Sequence, residues 1–150
     1  MKHVNLAQAV PELYKTVIEL DKISTQKIKE AGINEGFSHL LKLRASQINQ
    51  CAFCVRMHTQ DAVKCGESIE RIALTSAWRE SEYFDAKERA ALILIEEITL
   101  IAQQHFPDTA YENATKELNQ DEIAAIEWLA IVINTWNRIA ISSQYSVIPE

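Results

Sequence analysis

Cys51, Cys54 and His58 stand at the spacing C-x-x-C-x-x-x-H, and a third cysteine, Cys65, follows them. On a helix turning about 100° per residue, Cys54 lies roughly 60° from Cys51, with His58 between them in azimuth. The three side chains therefore share one helix face. Neighbours at i, i+3 and i, i+4 have Cβ atoms about 5–6 Å apart, so a reversible Cys51–Cys54 bond needs only modest adjustment. Only the thiolate attacks, and free thiols are mostly protonated near neutrality. A histidine one turn away can accept the proton, directly or through a water, and a helix N-terminus can stabilise the anion. With Asn49 as the expected N-cap, the dipole favours Cys51 as the more acidic sulfur, whereas proximity to His58 favours Cys54. Spacing alone leaves that contest open. Cys65 would lie about 21 Å along the axis from Cys51 on a continuous helix, and is expected to be a buried bystander.

Three other readings compete. Two cysteines and a histidine supply three zinc ligands, but no second C-x-x-C or H-x-H completes a structural set. Covalent haem attachment needs histidine directly after the second cysteine, where Val55 stands. Simple burial is the third, since free cysteine is among the most buried residue types.

The elements that must position these residues are helices. The chain has 150 residues but only 3 Gly and 3 Pro, against a usual combined share of roughly one in eight, too few for the turns of a β-sandwich or barrel. Pro11 begins a helix expected to run to about Ile23, and a shorter piece from Thr25 to Ala31 ends at Gly32. Asn34 caps a helix whose apolar stripe is Phe37, Leu40, Leu41, Ala45 and Ile48. The Cys51–Cys65 helix closes at Gly66, and Ser68 caps another through about Trp78. Asp85 with Glu88 forms a capping box for a helix reaching about Gln103, and Pro107 precedes a short amphipathic piece, Asp108 to Leu118. Asn119 with Glu122 caps a final helix to Ser142. The expectation is an all-α bundle of about seven or eight helices, forming one domain over residues 1–150.

Composition narrows the function. A formal net charge of -6 disfavours nucleic acid and anionic membrane surfaces, which need a basic face. No apolar run approaches the roughly 20 residues that span a bilayer. The first residues, MKHVNLAQAVPELYK, lack the apolar core of a secretory signal. A cytoplasmic location follows as the default.

The run LRASQINQCAFCVRMHTQDA, with Cys51, Cys54 and His58, closely resembles the redox branch of the carboxymuconolactone decarboxylase and alkylhydroperoxidase D superfamily. INTWNRIAIS resembles the closing helix of its small single-domain members. The resemblance implies an all-helical, AhpD-like fold and a homo-oligomer, commonly a trimer or hexamer. It implies a peroxidase or disulfide reductase in which Cys54 attacks the hydroperoxide or partner disulfide, Cys51 resolves, and His58 relays the proton. The electron donor would be a dithiol partner, in the best-known members a lipoylated protein, and no metal or other cofactor is required. In one respect the chain departs from the pattern. The family's relay begins with Glu twelve residues before the first cysteine, where this chain has His39. Imidazole can act as a base near neutral pH, but it cannot supply a fixed negative charge to orient or protonate His58. That departure threatens peroxide turnover more than thiol–disulfide exchange.

Other residues are weaker candidates. Glu96 or Glu97 could turn a carboxylate inward as a substitute relay. Lys42 and Arg44 could raise the positive potential near the thiols. Trp128 and Trp136 suit the core or a subunit interface, and Arg138 an interfacial ion pair. Two alternative functions stand beside the oxidoreductase: a carboxymuconolactone decarboxylase-like enzyme, although that branch generally lacks the C-x-x-C pair, and a non-catalytic oligomeric binding or stress protein that retains the motif.

Overall fold

The computed structural model describes residues 1–149, and among them every regular element is helical. The α-helices are α1 (Leu6–Ala9), α2 (Pro11–Glu30), α3 (Glu35–Ile48), α4 (Ala52–Lys64), α5 (Ile69–Leu74), α6 (Ala86–Thr99), α7 (Ile101–Gln104), α8 (Asp108–Glu117) and α9 (Gln120–Ser142), with a 3₁₀ segment at Thr75–Glu80 after α5. The count exceeds the expected seven or eight because α1 and α7 are single turns.

Most boundaries follow local hydrogen-bonding chemistry. Asn34 Oδ1 accepts from the Phe37 N–H and starts α3, Ser68 Oγ accepts from Arg71 and starts α5, and both capping boxes close at Asp85/Glu88 and Asn119/Glu122. Besides the start of α4, three boundaries differ from expectation. The break near Ile23 does not occur, because nothing there removes a backbone hydrogen bond; α2 continues to Glu30 and stops at Gly32, whose φ of +74° completes the C-terminal turn. The α5 helix tightens into 3₁₀ geometry before Trp78. Finally, α6 ends at Thr99, where Leu100 leaves helical geometry (φ -96°, ψ 16°), and the chain resumes as the single turn α7.

The core forms where α3, α6 and α9 pack together. Leu40, Leu41 and Leu43 of α3, Leu92, Leu94 and Ile95 of α6, and Ile126, Leu129 and Ile133 of α9 are each at most 1% exposed. Burying such side chains contributes roughly 1.5–3 kcal/mol apiece. α4 packs along α3 and α2 along α9, so the cysteine helix is anchored to the bundle on one side. His39 meets His58, and Glu35 meets Cys65, so α3 and α4 run antiparallel as a helical hairpin.

The joint of that hairpin is short. Gln50 N–H donates to Gln47 O and Cys51 N–H to Ser46 O, the paired bonds of a Schellman turn, with Gln50 at φ +56°. A partly buried amide ladder holds the joint against α9. Asn49 Nδ2 donates to Asn134 Oδ1 (2.9 Å) and Asn137 Oδ1 (2.8 Å), and Asn137 Nδ2 donates to Ser46 Oγ (3.0 Å).

Candidate functional site

Cys51 is itself the N-cap of α4, and this corrects the assignment of that role to Asn49. Its Sγ accepts from the Cys54 N–H at 3.4 Å, while Asn49 ends α3 and spends its amide on α9. Cys54 therefore sits at the third helical position, within the turn where the helix dipole stabilises an anion by about 0.3–1 kcal/mol. The two sulfurs are joined as a disulfide, with Cα atoms 5.4 Å apart, inside the range such a bond spans without backbone movement.

Both cysteines are 1% exposed, yet their surroundings differ. Cys54 forms part of the wall of a cavity of about 330 Å³ enclosed by α2, α3, α4 and α9 and by Tyr145. His58, Lys42, Met57, Tyr14 and Trp136 line it too, whereas Cys51 does not. Cys51 is packed behind, among Ala140, Phe53 and Tyr145. The Phe53 and Tyr145 rings meet edge to face at 5.1 Å, and Arg56 Nη1 ties the segment after α9 by donating to Ile148 O (2.8 Å). The chain's final turn thus covers the disulfide.

His58 lies on the same face, as its spacing predicts, and is buried. Neither of its ring nitrogens has a protein hydrogen-bond partner. Burial above all, then the nearby charges of Lys42 and His39, push it down to about 3, so it is neutral across the physiological range. His39 stacks on it with ring centroids 5.7 Å apart, and burial followed by Lys42 lowers His39 as well. His39 on α3 thus joins Lys42 in helping to keep His58 unprotonated. The nearest carboxylate is that of Asp61, with Oδ2 4.0 Å from His58 Nδ1.

The weaker candidates separate. Lys42 reaches the cavity, with Asp21 Oδ1 4.0 Å from its Nζ. Arg44 does not; it is bonded to Glu96 at 2.8 Å. Glu96 points inward as a relay carboxylate would, but its partners are Arg44, Arg79 and Trp78 Nε1, none of which lines the cavity. Burial raises its carboxyl, and hydrogen bonds from Arg79, Trp78 and Arg44 outweigh that and hold it low. Glu97 accepts from Gln104 on the far side. Trp136 packs inward, its Nε1 donating to Asp21 (3.2 Å) and its ring meeting Tyr14 edge to face. Trp128 is 52% exposed and borders a larger hollow between α2 and α9 that holds neither cysteine nor histidine. Arg138 donates to Asn134 within its own helix. Cys65 is exposed, not buried; partial desolvation and the carboxylates of Glu35, Asp61 and Glu67 raise its thiol.

Sequence reading missed Asp61, Tyr14, Tyr145 and the amide ladder. Of these only the ladder left a trace, two asparagines at i, i+3 (Asn134 and Asn137) inside an otherwise apolar helix.

Comparison with known proteins agrees with this architecture. The model of the carboxymuconolactone decarboxylase family matches residues 11–97, which include the whole motif. The chain is 36% identical over 141 residues to the uncharacterized protein YdfG of Bacillus subtilis (strain 168), covering 94% of this chain and 93% of that protein. It is also similar to a crystal structure of a protein of unknown function from Agrobacterium tumefaciens, for which an antioxidant-defence role of the AhpD type has been suggested. The identity there is 39% and the TM-score 0.89, over 100% of both chains. With its helical bundle and C-x-x-C pair, the chain belongs to the carboxymuconolactone decarboxylase family, whose AhpD-like fold it shares.

Proposed function

We propose that the protein is a thiol-dependent oxidoreductase of the alkylhydroperoxidase D type, reducing hydroperoxides or partner disulfides through a Cys51–Cys54 dithiol/disulfide cycle. The observation that carries this reading is the asymmetry of the pair: Cys54 faces a cavity shared with His58 and Lys42, and Cys51 sits directly behind it. In the reduced protein, the Cys54 thiolate attacks a peroxide oxygen. The S–O bond forms as the O–O bond breaks, and the alcohol leaves with one proton. Cys51 then attacks the Cys54 sulfenic acid; the S–S bond forms, the S–O bond breaks, and water departs. The two electrons come from the two thiols. A dithiol donor, such as a lipoylated protein, returns them by exchange. With a protein disulfide as substrate, Cys54 forms the mixed disulfide and Cys51 resolves it.

Neutral His58 serves as a transient proton acceptor. Because its conjugate acid is disfavoured, the start of α4 and Lys42 carry the stabilisation of the thiolate. His39 acts by holding His58 in place and neutral. The cycle uses no metal or other cofactor. The antioxidant role suggested for the Agrobacterium relative supports the same chemistry, and a cytoplasmic homo-oligomer, trimer or hexamer, is the form in which it would operate. The large exposed side chains Leu13, Ile23, Trp128 and Ile131 on α2 and α9 support self-association.

The test is peroxide-dependent oxidation of a dihydrolipoyl donor by purified protein. Cys54→Ser abolishes turnover, and Cys51→Ser stalls at a trappable Cys54 sulfenic acid. Undiminished turnover in Cys54→Ser refutes the assignment. Activity on a carboxymuconolactone that survives loss of both thiols would establish the decarboxylase alternative instead.

A further inference from the structure

We propose that His39, His58 and Asp61 form a binding site for a divalent transition-metal ion of the Zn²⁺ class at the seam between α3 and α4. Each residue has a ligand atom within 4.8 Å of the ligand atoms of the other two. Two imidazoles and one carboxylate are donors that suit zinc, with one position of a tetrahedron left open.

Burial and pairing supply the independent argument. His58 is 5% exposed, and both of its ring nitrogens lack a protein partner; His39 Nδ1 is a third buried nitrogen in the same condition. Buried polar atoms are nearly always paired, so three orphaned imidazole nitrogens in one small volume point to a ligand, to which each neutral ring offers one lone pair. The surrounding geometry is prepared for one. His58 and Asp61 are an i, i+3 pair on one helix, with Asp61 Oδ2 4.0 Å from His58 Nδ1, and Lys64 engages the opposite oxygen, Oδ1, at 3.5 Å. His39 is delivered from the antiparallel helix with its ring inclined 28° to that of His58. Donors bound at about 2.0–2.2 Å in a tetrahedron lie roughly 3.3 Å apart. Side-chain rotation of His39 and Asp61, neither of them fully buried, would close that difference. These donors come from two helices and include neither sulfur of the pair, so the C-x-x-C spacing does not announce them.

The site does not depend on the redox reading, and it is tested with the cysteines removed from consideration. The full chain is kept in its Cys51–Cys54 disulfide form and carries Cys65→Ser, which eliminates the exposed thiol that shares His39 with Glu35. Zn²⁺ is titrated against a chromogenic chelator, and Co²⁺ binding is followed by its visible absorption. The expected result is one ion per chain with Kd of about 10 µM or tighter, and Co²⁺ bands of tetrahedral intensity. Asp61→Asn and His39→Gln each weaken binding at least about tenfold. Neither residue is fully buried, so these variants keep the test valid if His58→Gln fails to fold. Kd weaker than about 100 µM, or affinity unchanged in both Asp61→Asn and His39→Gln, overturns the site.

Discussion

Burying His58 as a neutral imidazole makes folding stability depend on pH, with a sign and size that follow from its surroundings. In the unfolded chain it titrates near 6.5, whereas in the folded protein burial, Lys42 and His39 push it down to about 3. The folded state therefore binds fewer protons between these values. Stability is fully present above pH 6.5 and is lost as pH falls toward 3. Between pH 8 and pH 5, the unfolded state gains about 2 kcal/mol from protonating this one residue, taking 1.36 kcal/mol per pH unit below 6.5. No discount for solvent screening applies, because the ring is 5% exposed. His39 shifts in the same direction and adds to the trend, so the measurement must be a difference. Urea unfolding of disulfide-form wild type and His58→Asn, at fixed protein concentration and with a chelator present, gives stability at each pH. Wild type should lose about 2 kcal/mol more than the variant over that interval. Equal losses in the two proteins would show that His58 charges freely in the fold and that the neutral-imidazole reasoning is wrong.

Three further outcomes are expected. Gln50→Gly relieves a non-glycine residue held at φ +56° in the α3–α4 joint and should raise stability by roughly 0.5–1 kcal/mol, read as an increased urea midpoint. Glu96→Gln removes the carboxylate charge that Arg44 and Arg79 pair with and should cost about 3 kcal/mol in the same assay. Its peroxide turnover should remain that of wild type; a collapse in turnover would instead support Glu96 as the relay carboxylate. His39→Glu replaces a neutral ring with a carboxylate beside His58; it should raise the His58 titration point, seen by NMR, and increase peroxide turnover by about tenfold or more.

Much of the fold was legible because helix boundaries are written in short-range chemistry. Asp85 with Glu88 and Asn119 with Glu122 declare their helices through side chains bonding backbone groups three residues away. Where the expectation failed, the deciding interaction was absent or distant. The sequence predicts one helix ending near Ile23 and another running from Thr25 to Ala31, but nothing between them interrupts α2, and Ser24 is buried within it. Asn49 has the side chain of an N-cap, yet Asn134 and Asn137, more than eighty residues away, take its amide and leave the cap to Cys51. Burial is the usual fate of a free cysteine, yet Cys65 closes α4 at the surface.

The spacing of Cys54 and His58 alone determined that one sulfur and an imidazole share a helix face, because the helix repeat is a local property of the backbone; Cys51, as the N-cap, lies outside that repeat and joins them through the disulfide. The scarcity of glycine and proline likewise determined a helical bundle. Tertiary structure decided which sulfur meets the cavity, that His39 stacks on His58, and that Glu96 faces two arginines and a tryptophan away from the thiols. Those outcomes depend on how α3, α4, α6 and α9 rotate and slide against one another. That arrangement is set by filling the whole core at once, and no segment of the chain encodes it separately.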